Sequence, residues 1–378
     1  MVLSIGSSTR LQGKQDHRGA HPELVPKAMS RSLLVWVAVP AAVCNVTAQT
    51  QINADHQTPP ADKNRIVLNV IVTDKKGQPI SGLEAENFTL LDNGRPRQIT
   101  TFRALEPETL RWEPAHVVIA IDAINSDLDL VAKERDQVSR FLERNDGRLS
   151  NPTTLAFLSD SGLKIDQKFT RNGNELDAAL NKLKPALRTV DASTLGGVGE
   201  RFNMSIGQFT ELAAWTSGLP GRKLLLLISS GWPMLPGIEN QSSTIQRQWL
   251  FNSIVKFTNG LRQFQVTVYS IDPFDDGTAP RYYQSFLKGV PSVNDAEYAN
   301  LSLPVIAEHS GGQVVVGPTN ILDELQMAVR NASMGYQLTF EASESDQPNT
   351  YHALQLRVNH PNIVVRTAAG YYADMLLK

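Results

Sequence analysis

The sequence predicts an α/β protein, a doubly wound and mostly parallel sheet inserted into a small β-sandwich that both chain ends build. Three observations lead there. From His116 onward, continuous apolar runs alternate with stretches of helical periodicity, the pattern of parallel strands covered on both faces by crossover helices. Ahead of that region stand three short β-prone runs with tight-turn signals, and behind it stand three more. Each set leaves strands without partners, so the two ends are expected to complete one sandwich.

The first 64 residues read as leader and linker. Residues 1–28 are polar and aperiodic, and are expected to be a non-native or disordered extension. Residues 29–48 have the order of a secretory signal. Met29-Ser-Arg-Ser is basic, Leu33 to Val43 is apolar, and Val46-Thr-Ala48 ends in small residues. The apolar run of about 11 residues is too short for a permanent span, which needs roughly 20. The single cysteine, Cys44, falls inside this leader and is removed with it, so no intramolecular disulfide is available. Residues 49–64 are polar, contain proline and read as a linker. The expected product is exported, periplasmic or extracellular, with no integral membrane span after cleavage.

The first sandwich segment covers 65–106. Arg65 to Thr73 is β-branched and runs into the turn Asp74-Lys-Lys-Gly77, Asn87 to Asp92 ends at the hairpin signal Asn93-Gly94, and Arg97 to Phe102 alternates. The α/β region covers 114–333. Val117–Ile121, Lys223–Ser229, Gln265–Ile271 and Gly312–Val316 read as parallel strands, and Thr154–Leu158 with Leu163–Phe169 as a hairpin turning at Asp160-Ser-Gly162. Helical spacing marks Leu130–Arg144, Leu176–Leu183, Phe202–Trp215, Ile245–Leu261, Leu303–His309 and Ile321–Asn331. The closing segment, 335–375, supplies Tyr336–Phe340, His352–Val358 and Ile363–Thr367.

Composition narrows function by exclusion. Hydrophobic content of 41%, charged content of 20% and a net charge of −2 describe an ordinary globular chain with no electrostatic bias toward nucleic acid or an anionic membrane. No phosphate-loop motif, H-E-x-x-H or G-x-S-x-G elbow occurs. Gly197-Val-Gly199 precedes a helix without a strand before it, and so reads as a loop rather than a dinucleotide fingerprint.

The wording of several segments resembles a von Willebrand factor type A (VWA)-related family common in acidobacteria. The segments are Val72-Thr-Asp-Lys-Lys-Gly-Gln-Pro-Ile-Ser-Gly-Leu83, Asn87-Phe-Thr-Leu-Leu-Asp-Asn-Gly94, Ile121-Asp-Ala-Ile-Asn-Ser126, Leu219-Pro-Gly-Arg-Lys223, Ser229-Ser-Gly-Trp-Pro233, Tyr269-Ser-Ile-Asp272, His309-Ser-Gly-Gly312 and Gly370-Tyr-Tyr-Ala373. They follow one another in family order. The resemblance implies a VWA-like sheet with a site at its upper edge, where an Asp-x-Ser-x-Ser loop, a Thr and a second Asp hold Mg²⁺ or another divalent cation through oxygen. Here the pattern is degenerate. Asp122 and Ser126 match, Thr194 is the candidate Thr, Ile124 replaces the first Ser, and Ser230 stands where the second Asp belongs. Asn125, Asp127, Asp129 and Asp272 are further oxygen-bearing side chains on the upper loops.

Each residue has a plainer reading. Asp122 caps backbone N–H groups at a strand end, Ser126 opens a helix, Asp272 with Pro273 makes a turn, and Trp232 is either a packing lid or an exposed recognition aromatic. The function expected is a non-catalytic binding or adhesion module whose upper face, through Asn125, Asp127, Ser230, Trp232 and Asp272, recognises a protein partner. Two alternatives stand beside it, a metal-assisted hydrolase using Asp122 and Asp272 and a structural envelope component.

Overall fold

The computed structural model describes residues 65–106, 113–166, 168–182, 195–232, 243–272, 282–316, 320–342, 347 and 349–373. The leader and linker expected over 1–64 lie outside the described residues. The N-terminal strands are β1 (Arg65–Asp74), β2 (Phe88–Asp92), β3 (Arg95–Arg97) and β4 (Thr101–Leu105). Then come β5 (His116–Asp122), α1 (Leu128–Gly147), β6 (Arg148–Ser159), β7 (Gly162–Ile165), β8 (Thr170–Asn172), α2 (Gly173–Lys182) and α3 (Leu195–Ser217). After these follow β9 (Lys223–Ile228), α4 (Thr244–Gln263), β10 (Val266–Asp272), α5 (Leu303–His309), β11 (Gln313–Val316) and α6 (Ile321–Ser333). The chain closes with β12 (Gly335–Glu341), β13 (Thr350–Val358), β14 (Ile363–Arg366) and β15 (Gly370–Ala373). The described residues belong to one compact unit.

The central sheet has the order β11-β10-β9-β5-β6-β7, with β8 also on β6. Strands β11, β10, β9, β5 and β6 are parallel, while β7 and β8 run antiparallel to β6. Strand β5 is buried on both faces because its alternate side chains feed two cores. Val118 and Ala120 meet Phe209, Leu212, Ile254 and Phe257 on α3 and α4. Val117, Ile119 and Ile121 meet Val138, Phe141, Leu176 and Leu325 on α1, α2 and α6. An unbroken apolar run is what two covered faces require, and it leaves no alternation to read.

Two four-stranded antiparallel sheets, β14-β1-β12-β4 and β15-β13-β2-β3, each combine strands from both chain ends. Their facing side chains, among them Leu68, Val70, Phe88, Leu90, Tyr336, Leu338, Phe340 and Tyr371, form a third core. Asn93 and Gly94 join β2 to β3 with φ of 49° and 78°, the double positive φ of a tight hairpin turn.

The expected strand Arg97–Phe102 is corrected. Strand β3 ends at Arg97 on β2, and β4 begins at Thr101 on β12 in the other sheet, so residues 98–100 turn the corner between the sheets. Ile99 and Phe102, three residues apart, both reach the same core because the corner between them breaks the alternation. Strand β15 is an addition to the strands that the sequence pattern marks. Its four residues are all buried, with Tyr371 in the sandwich core and Tyr372 in a core of the central sheet, so neither face is polar.

Glycine matters sharply at one strand entry. A Cβ on Gly312 would lie 1.8 Å from the carbonyl oxygen of Val268, on the strand that β11 pairs with. Gly312→Ala is therefore expected to lower stability by about 1–3 kcal/mol through overpacking. Gly207 is the contrast, exposed inside α3 where an added Cβ would meet nothing within 4 Å. Gly207→Ala should raise stability by about 0.5–1 kcal/mol. Urea unfolding of both variants checks the pair, and equal losses would refute the packing argument.

Candidate functional site

Strand β5 has β6 on one side and β9 on the other, so the chain order reverses between β5 and β9. In open α/β sheets, the crevice beyond the carboxyl ends of such strands is where ligands sit. Asp122 ends β5 and Ser229 follows β9.

Asp122 is fully buried. Its Oδ1 accepts from the backbone N–H groups of Ile124 at 2.9 Å and Asn125 at 3.3 Å. Its Oδ2 accepts from Asn125 Nδ2 at 2.8 Å and from Ser229 Oγ at 2.7 Å. Burial raises the Asp122 carboxyl above its ordinary range, and these donors pull the other way. The carboxylate thus closes an Asx-type turn over its own strand end.

The rest of the loop is pinned as firmly. Ile124 is 0% exposed and packs into the core beneath α3. Its carbonyl accepts from Arg201 Nε at 3.0 Å and also from Arg201 Nη2. Asn125 Nδ2 donates to Ser205 Oγ at 2.8 Å as well, and Ser205 Oγ donates to the Arg201 carbonyl at 2.9 Å. Ser126 is buried, donates to Glu134 Oε1 at 3.1 Å, and lies 3.1 Å from Ser230 Oγ. Ser230 itself is exposed.

Glu134 is the one charged-type side chain on the inner face of α1, between Val131 and Val138. Burial first, and then the nearby carboxylates of Asp122, Asp272 and Asp127, against the opposing Ser126 hydroxyl, together push its carboxyl up to about 8. At neutral pH Glu134 is mostly protonated.

The other expected residues separate by environment. Asp127 is exposed and caps α1, its Oδ1 accepting from Leu130 N at 2.8 Å, and Asp129 lies exposed in the same first turn. Asp272 is half-buried at the end of β10 and is felt by Glu134. Trp232 is buried and packs edge-on against Phe209 at 5.2 Å, which is the packing position of its two readings. Thr194 lies outside the described residues. The structure therefore gathers Asp122, Asn125, Ser126 and Ser230 into one network with Ser205, Ser229, Arg201 and Glu134, which sequence reasoning did not single out. Glu134 had left a signal, since it falls on the helical stripe of Val131, Val138, Phe141 and Leu142. Ser205 and Arg201 left none, because α3 meets the loop only in three dimensions.

These residues do not fit a divalent cation. Both oxygens of Asp122 are taken by donors, Ile124 is turned into the core, and among the described residues no group of three or more His, Cys, Asp or Glu side chains is arranged to hold a metal ion.

Comparison with protein-family models finds no match, and neither does comparison with curated proteins. Among solved structures, the chain is similar to the human COPII-coat protein Sec24c at 9% identity and a TM-score of 0.30, over 70% of this chain and 44% of that one. It is similar to the TFIIH p34 N-terminal domain at 13% identity and a TM-score of 0.22, over 43% of this chain and 81% of that one. A third likeness is to an uncharacterized membrane spanning protein from Vibrio fischeri, at 16% identity and a TM-score of 0.17, over 56% of this chain and 96% of that one. The chain spans less than half of the Sec24c chain. The strand order, not these likenesses, defines the fold here as mixed α/β with a mostly parallel central sheet and two antiparallel sheets.

Two outcomes are expected from the site. Mg²⁺, Mn²⁺ or Ca²⁺ should leave the melting temperature of the wild type unchanged, whereas a bound ion at about 100 times its dissociation constant would add roughly 2.7 kcal/mol. Asp122→Ala should cost about 1–3 kcal/mol with or without cations, because it orphans buried donors. A cation-dependent rise lost in Asp122→Ala would reverse this reading. For pH, the folded chain holds the Glu134 proton more tightly than the unfolded chain does, with a carboxyl near 8 against 4.5. Its stabilising contribution is full below the unfolded value and is lost as pH rises through about 8. Glu134→Gln should flatten the fall in melting temperature between pH 5 and 8.5, and an unchanged profile would remove Glu134 as its source.

Proposed function

We propose that this chain is an exported, non-catalytic binding module on a VWA-like fold, and that the carboxyl end of its parallel sheet recognises a protein partner without a metal ion. The observation that carries the proposal is a set of four among the seven large apolar side chains exposed in the described residues, Phe264, Tyr282 and Val364 being the other three. Leu128 (46% exposed) opens α1, Ile245 (82%) and Trp249 (44%) lie four apart on the first turns of α4, and Val316 (38%) ends β11. All four belong to the end of the sheet at which Asp122 sits. Solvent-facing tryptophan and isoleucine on one helix face are what a recognition surface offers and what an isolated fold avoids.

The degenerate loop supports the same reading. A carboxylate saturated by its own turn holds the surface rigid and has no free coordination to lend. The hydrolase alternative needs a base that substrate can reach, and Glu134, the carboxyl best poised by its raised titration, is 0% exposed. Asn125, Asp127, Ser230 and Asp272 then form the polar rim around the apolar anchors.

The test places a photo-crosslinking residue at Trp249 of the full chain in its native host, with Arg357 on the sandwich as the control position. A discrete protein adduct from Trp249, absent from Arg357 and lost with Ile245→Asp, is expected. No adduct, or one that Ile245→Asp leaves untouched, would refute the surface.

A further inference from the structure

The opposite end of the central sheet carries a different feature. Helix α1 ends at a turn in which Asn145, Asp146 and Gly147 take φ of 51°, 56° and 72°, three left-handed residues in succession before β6 begins. The turn is held against α2, where a Cβ on Gly173 would lie 1.9 Å from the Leu142 carbonyl oxygen. This backbone carries Arg144 and Arg148 to the edge of a cleft of ≈ 470 Å³, and Arg330, in the last turn of α6, faces it from the other side. Two further cavities in the molecule, of ≈ 20 and ≈ 30 Å³, are water-sized.

Three arginines thus line one cleft, and among the described residues no Asp or Glu lines it with them. Among the described residues none of the three makes an ion pair, although arginines elsewhere do so with Asp92, Glu113 and Asp136. The carboxyl ends of α1 and α6 contribute about half a negative charge each, which leaves the cleft with roughly two positive charges. Phe141 and Val329 supply an apolar floor, and the amide of Gln326 adds a further polar group. Planar forks that bind oxyanions through paired hydrogen bonds, set over an apolar floor in a cavity of ligand size, describe one ligand chemistry.

We propose that this cleft is a binding site for a small organic oxyanion, a molecule with a doubly charged headgroup and an apolar body. It lies at the end of the sheet remote from the partner surface proposed above and does not depend on it. The headgroup is phosphoryl or a pair of carboxylates, and the probes distinguish the two.

Phenyl phosphate and phenylmalonate, the same apolar ring on a phosphoryl group and on a pair of carboxylates, are titrated into the full chain by calorimetry, at low ionic strength and at about 0.15 M salt. Saturable binding that weakens with salt is expected for at least one probe, the tighter of the two naming the headgroup. The double variant Arg148→Ala/Arg330→Ala should weaken it by about tenfold or more. Arg95→Ala and Arg357→Ala, exposed arginines of the sandwich, should leave it unchanged. The substituted side chains are exposed, so the folded state is kept, and probe-free melting temperatures verify that. Absence of saturable binding at millimolar probe, or binding that survives in the double variant, would overturn the site.

Discussion

The buried carboxylate of Asp92 ties the first strands of this protein to its last. Its Oδ1 accepts from His352 Nδ1 at 2.8 Å, its Oδ2 accepts from Tyr371 Oη at 2.8 Å, and Arg97 Nε lies 3.5 Å away. The His352 ring also stacks on Tyr371 at 4.8 Å. Removing one member of such a buried polar group leaves the others uncompensated, so the network enforces a single pairing of β2, β13 and β15. Neither antiparallel sheet can form until the chain ends have met, because β1 pairs with β12 and β14 while β2 pairs with β13. The whole α/β region is threaded between those partners. Contacts so distant in sequence are costly to close and make for slow folding.

The same closure joins the cores. Tyr372 on β15 leaves the sandwich and packs with Phe251 of α4, its backbone N–H donating to Asn259 Oδ1 at 2.9 Å and its carbonyl accepting from Asn259 Nδ2 at 2.8 Å. Tyr371, its neighbour, points the other way. A strand buried on both faces thus links the sandwich to the helical layer of the central sheet.

At the carboxyl end, the loop from Asp122 to Ser126 is held by its own side chains and by α3. Ile124 shows how. A side chain with no oxygen at that position gains more from the core than from the surface, and once it turns inward its carbonyl is presented to Arg201. Asn125 and Ser229 then fill the places around Asp122 that solvent or an ion would use. Glu134 beneath them is tolerated because burial favours its neutral form.

Much of this was legible in local pattern. The buried strands, the hairpin after Ser159, most of the helical stretches and the Asn93-Gly94 turn follow from spacing within a few residues, since periodicity of 2 or 3.6 reports which face is covered, whereas Gly197-Val-Gly199, read as a loop because of its glycines, lies inside α3. The corner at residues 98–100 and strand β15 were not, since one keeps its apolar residues on the same core while changing sheets and the other loses alternation by being covered twice. Asp122, Asn125, Ser126 and Ser230 could be named from sequence as residues of the upper loops. Their union with Arg201, Ser205 and Glu134, and the meeting of Arg144, Arg148 and Arg330 in one cleft, could not. By itself the sequence determined which segments become strands and helices and which of their faces are apolar, for those are properties of neighbours along the chain. Only the tertiary structure decided that Asp122 is saturated, that Ile124 is core, and that three arginines share a cavity, because those depend on partners that folding, not spacing, brings together.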